Sequence, residues 1–194
     1  MGHKKGATMY IFILVVILVA LVTMLTSTVL YGLRSRLPKG ITIDHSRSIE
    51  ELIKKGDYDW VAPSINSNEF IASRKVKRSK KDVEKYEVRV FHFNYNICSE
   101  SAIRKMRQTG WSPATLEQLL AYSTAIAANS EPREFQIVAL GSSCEFPEEG
   151  CYAPVFKFNN KWWSEKQRIL ELRRWRGGWN AGYGYSLLAV RRIR

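Results

Sequence analysis

The sequence predicts an α+β domain behind a single apolar helix. Three observations carry this: a long uncharged run near the amino terminus, two helix starts written as capping boxes, and several stretches of strand composition. With 194 residues, 45% of them hydrophobic, there is room for one ordinary domain and an appendage, and a disordered chain is excluded. Three cysteines are too few for a disulfide-built miniature. The formal charge is +12. Residues 1–40 hold five of the bases and no acid, which leaves +7 on the remainder.

Residues 9–33, opening on Met9 and closing on Leu33, carry no charge. A spanning helix needs about 20 apolar residues, whereas the apolar part of a cleavable signal is about 7–15. The run therefore predicts a retained transmembrane helix, preceded by a tail over residues 1–8 and followed by a basic linker over residues 34–47. Bases flank it on both sides: Lys4 and Lys5 before, Arg34, Arg36 and Lys39 after. A short tail ahead of a large domain suits an uncleaved signal anchor with its amino terminus inside. Residues 48–194 would then form the extracytoplasmic domain of a single-pass membrane protein.

Within that domain Ser48 and Glu51 form a capping box for a short helix, with Gly56 suited to the left-handed residue that ends it. Tyr58, Asp59, Trp60 and Val61 read as an extended stretch that tucks Trp60 into the core. Seven bases fall between Arg74 and Lys85, a charge run that reads first as a solvated loop. The alternation from Tyr86 to Phe93 is a strand. Ser99 reads as the cap of a helix that stops at Gly110, and Thr115 with Gln118 opens a second. Strands follow around 135–141, 152–158, 169–175 and 185–190.

Chemistry is sparse. His3, His45 and His92 stand apart from any cysteine or carboxylate set with metal-ligand spacing, and His92 reads as a half-buried strand residue. No nucleophile elbow or phosphate-cradling glycine loop is present, so no catalytic residue, cofactor or metal is expected. Cys144 and Cys151 flank a turn-forming stretch. A disulfide closing that hairpin is one reading and two free thiols is the other. Four of the six tryptophans lie in the carboxy-terminal quarter, interleaved with Arg, Asn and Gly. Trp, Tyr and Arg dominate binding hot spots. The candidate ligand-binding residues are therefore Trp162, Trp163, Arg174, Trp175, Arg176, Trp179, Asn180, Tyr183 and Tyr185, with some of the indoles expected to be core anchors.

The run from Trp111 to Tyr122, after a helix ending in Gly110, resembles the two-helix core of C-type lectin-like domains. The resemblance is to the branch shared with formylglycine-generating enzymes and the variable proteins of diversity-generating retroelements. Small bacterial domains of candidate phyla are similar at Tyr58 to Val61, Pro113 to Ala121, Gln136 to Ser142, and Gly177 to Trp179 followed by Leu187 to Arg191. It implies a C-type lectin-like domain with two helices and a small, mainly antiparallel sheet, whose binding face lies in its carboxy-terminal strands and loops. Trp179-Asn180-Ala181 lacks the aspartate of the calcium-binding lectins, so no calcium site is implied. The expected function is a membrane-anchored module binding a protein or glycan, and not an enzyme. The alternative is a basic binder of nucleic acid or another anionic polymer, resting on the net charge, the Arg74–Lys85 run and the bases Arg173, Arg174 and Arg176 around Trp175.

Overall fold

The computed structural model describes residues 38–65, 83–127, 135–146, 149–159, 167–175, 178–180, 182 and 184–193. Nine strands lie among them: β1 (Gly40–Asp44), β2 (Trp60–Val61), β3 (Val83–Phe91), β4 (Ser112–Pro113), β5 (Phe135–Val138), β6 (Cys144–Phe146), β7 (Gly150–Asn159), β8 (Gln167–Arg174) and β9 (Tyr185–Arg192). They form one sheet in the order β1-β3-β9-β5-β7-β8-β2, with β4 added on β9 and β6 on β7. Three α-helices accompany it: α1 (Ile49–Gly56), α2 (Ser99–Gln108) and α3 (Leu116–Ala127).

This corrects the expected architecture of two helices and a small, mainly antiparallel sheet. The described chain is mostly strand. Its nine-stranded sheet is mixed, with β5 parallel to β9 and β2 parallel to β8, beside three short helices. The additional strands are short ones whose pairing comes from tertiary neighbours rather than from a local pattern: β1 falls inside the presumed linker, and β4 and β6 span two and three residues. No helix among the described residues is long and apolar enough to cross a membrane. The spanning helix expected over residues 9–33 lies outside the described residues, so the structure gives a membrane anchor no support.

The alternation of side chains explains how one sheet serves two cores. In β9, Leu188 and Val190 point to the face covered by α1 and α3, where they join Ile41, Ile43, Leu119, Leu120 and Phe156. Leu187 and Ala189 point to the opposite face, where α2 brings Ala102 and Met106. Both faces of β9 are therefore covered in its middle, and its sequence reads as an unbroken apolar run.

Local signals set most helix ends. Ser48 Oγ accepts from the Glu51 amide at 3.2 Å and the Glu51 carboxylate accepts from the Ser48 amide at 2.9 Å, as the capping box requires. Thr115 and Gln118 repeat the arrangement at α3, with amide-to-side-chain distances of 2.8 and 3.4 Å. A distant residue completes that cap: Ser142 Oγ accepts from the Leu116 amide at 2.9 Å. Its neighbour Gly141 donates its amide to the Ala114 carbonyl at 2.7 Å, so close that a Cβ there would collide with the backbone of Pro113 and Ala114.

Three expectations are corrected. Asp57, not Gly56, takes the left-handed conformation after α1, with φ of 47°; Gly56 instead packs beneath the Tyr58 ring. Cys98 occupies the cap position of α2, and Ser99 is buried in the first turn because its hydroxyl is engaged elsewhere. Trp60 is 49% exposed rather than in the core, because β2 is a two-residue edge strand with a neighbour on one side only.

Candidate binding surface

The carboxy-terminal aromatics turn inward where they are described. Trp179 is 3% exposed and donates its indole N–H to Ser99 Oγ at 2.8 Å. Ser99 in turn donates to the Trp175 carbonyl. Trp175 is half-buried; its amide donates to the Cys151 carbonyl at 2.7 Å and its indole N–H to Glu100 at 3.3 Å. A two-way bridge between Ile97 and Trp179 closes the arrangement, with N···O distances of 2.9 and 3.3 Å. Tyr185 meets the Trp179 ring edge-on at 5.4 Å between centroids. These contacts form a clasp that pins the chain after β8 to the start of α2. A buried indole N–H must find an acceptor, and Ser99 supplies it.

Of the other predicted binding residues, Arg174 is exposed and donates to the Tyr152 hydroxyl at 3.3 Å. Asn180 uses its side-chain carbonyl locally, accepting from the Gly182 amide at 2.7 Å. Trp162, Trp163, Arg176 and Tyr183 lie outside the described residues, as do residues 74–82 of the basic run; Lys85, at its end, is exposed on β3.

The disulfide reading is not supported. All three cysteines are free. The β6–β7 register sets Cys144 opposite Tyr152 and Cys151 opposite Glu145. Directly opposed residues share a face and successive residues alternate, so the two sulfurs point to opposite faces of the sheet. Burial pushes the Cys144 thiol up to about 11.

A row of side chains on β3 and beyond is the surface that sequence reading missed. Lys85, Glu87, Arg89 and Phe91 alternate onto the face that also carries α2, and Phe93 and Tyr95 continue the row. The Phe91 and Phe93 rings lie 6.4 Å apart at 18° between planes, and Phe93 meets Tyr95 at 5.9 Å. The Arg89 guanidinium stands 4.9 Å from the Phe91 centroid, and the Lys105 ammonium of α2 stands 5.3 Å from that of Tyr95. Tyr95 is 47% exposed; Phe91 and Phe93 are half-buried. Lys85, Arg89 and Lys105 make no ion pair among the described residues. The one acid in the row, Glu87, is neutralised by Arg191, whose Nε lies 2.9 Å from Glu87 Oε2 and whose guanidinium also covers Trp111 at 4.8 Å. The available signal was the spacing Arg89, Phe91, Phe93, Tyr95, which extends two residues past the strand that alternation alone assigns.

No protein-family model, curated protein or solved structure matches this chain. The resemblance to C-type lectin-like domains accordingly has no relative beside it, and the reading of function rests on the geometry.

Two other polar groupings are structural in character. His45, which the sequence placed in a linker, lies between two carboxylates: Nε2 is 3.2 Å from Glu84 and Nδ1 is 3.6 Å from Glu117. Glu84 also accepts from the Tyr86 hydroxyl and pairs with Arg192 at 2.8 Å. The Tyr86 hydrogen bond, more than any other influence, holds the Glu84 carboxyl below its ordinary value, while burial and Glu84 push the Tyr86 phenol up to about 12. His92 is exposed just past β3, not half-buried, with Nδ1 2.9 Å from Ser186 Oγ. Among the described residues no group of three or more His, Cys, Asp or Glu side chains is arranged to hold a metal ion.

Proposed function

We propose that this chain is a binding module for an anionic polymer, engaged through the row from Lys85 to Tyr95 and the adjoining Lys105. The observation that carries the reading is the row itself: three cations without carboxylate partners among the described residues, two of them seated over rings that are partly open to solvent. Unpaired cations keep their full attraction for phosphate or sulfate, and aromatic faces add contact area at little entropic cost. The net charge of +12 favours such a ligand at longer range. Recognition of a protein or glycan through the carboxy-terminal aromatics has less behind it, because Trp175 and Trp179 are committed to the clasp.

The test is a salt titration of the full chain against a labelled polyanion. Three phosphate contacts on a single strand give a slope near −0.7 each, so affinity should fall about 20-fold between about 50 and 200 mM salt. Combining Lys85→Ala, Arg89→Ala and Lys105→Ala should remove most binding and flatten that slope. Unchanged binding by the triple variant sinks the proposal.

A further inference from the structure

Resting on the reading above, we infer that the polymer is a single-stranded nucleic acid whose bases stack on the rings of Phe93 and Tyr95 while its phosphates meet Arg89 and Lys105. The ring spacing carries the step from polyanion to polynucleotide. Consecutive centroids lie 6.4 and 5.9 Å apart. Bases stacked in a duplex advance only about 3.4 Å per nucleotide along each strand. The Phe93 and Tyr95 rings, at nearly twice that interval and with 69° between their planes, match a strand whose two bases have been drawn apart and turned out of mutual stacking, one to each of these rings. A duplex presents no free base faces to such a row, and a sulfated or phosphorylated polymer without bases has no π-face to stack on it.

Charge placement agrees. Arg89 and Lys105 sit at the two ends of the aromatic row, so a backbone following the rings meets a cation at each end. Among the described residues the only acid on this face of β3, Glu87, is covered by Arg191 and offers the backbone no repulsion of full strength. Tyr95, 47% exposed with the Lys105 ammonium beside its ring, is the most exposed residue of the three.

The experiment measures anisotropy of the full chain with an oligothymidylate of about twelve nucleotides, an abasic oligomer of equal phosphate number, and a duplex of equal length. The oligothymidylate should bind at least about tenfold more tightly than the abasic oligomer, the fold-change expected of one or two base stacks. Tyr95→Ala should remove about tenfold from the oligothymidylate and leave the abasic oligomer unchanged, while Tyr95→Trp should retain the preference. Phe93→Leu keeps an apolar side chain against the α2 cluster, provides a second variant that removes a ring without opening a large cavity, and should act in the same direction. Equal binding of the two single strands, or tighter binding of the duplex, overturns the inference and leaves the polyanion reading standing. Failure of all three probes to bind overturns both.

Discussion

The clasp and the row use the same residue types in opposite ways. At the clasp, Trp175 and Trp179 spend their N–H groups on Glu100 and Ser99, and the Trp179 ring is sealed against Ile97 and Tyr185. In the row, Phe91, Phe93 and Tyr95 lie along one strand and its continuation, partly open, with a cation over the first and the last ring. Aromatic and arginine density in the sequence is highest around the clasp, where the structure uses it for packing. It is lower in the row, where the rings remain available. Density of such residues shows that large side chains are placed with care, but not whether toward the core or the solvent.

Removing the buried ring is the strongest way to separate the two regions. Trp179→Ala should lower unfolding stability by about 3–5 kcal/mol, measured by urea denaturation, because a sealed indole leaves a cavity. A loss below about 1 kcal/mol would mean the clasp is not part of the core. Ser99→Ala should cost about 1–3 kcal/mol, since it strands the buried indole N–H that Ser99 accepts from. If Ser99→Ala proves neutral, the clasp is held by packing alone.

Base titration probes the inward tyrosines. Burial pushes Tyr58 up to about 12, and its hydroxyl is shared with Ser123. A phenol that keeps its proton longer when folded contributes stability that is complete below pH 10 and lost as pH rises from 10 toward 12. Unfolding free energy should therefore fall across that window by on the order of 1–2 kcal/mol for this group, and Tyr58→Phe should flatten the fall. Tyr95→Ala gives the smallest effect. Its ring is at the surface, so stability should move by less than about 0.5 kcal/mol while ligand affinity drops. A large loss of stability would transfer Tyr95 from the binding row to the fold.

How much was legible in advance depended on the range of the signal. The boxes Ser48–Glu51 and Thr115–Gln118 were readable because donor and acceptor lie three residues apart, and both occur as written. The long strands β3, β7, β8 and β9 were readable from composition and alternation. The stretch around β1 carries an equally regular burial pattern, yet its five residues were too few to stand out from a basic linker. Ser99 looked like a cap because serine before a helix usually is one, and only its contacts with Trp175 and Trp179, more than 70 positions away, moved it inside. Cys144 and Cys151 lay at a plausible separation for a bridge. A register is a choice between two faces, and spacing in the chain does not make that choice.

By itself, the sequence determined the starts of α1 and α3, the identity of the longer strands and the excess of positive charge, because each follows from neighbours within a few residues or from simple counting. Only the tertiary structure decided that His45 sits between Glu84 and Glu117, that Trp179 closes on Ser99, and that Lys105 comes to rest over Tyr95. Those pairings join groups distant in the chain. What selects them is the burial of the centre of the sheet on both faces, which no local pattern contains.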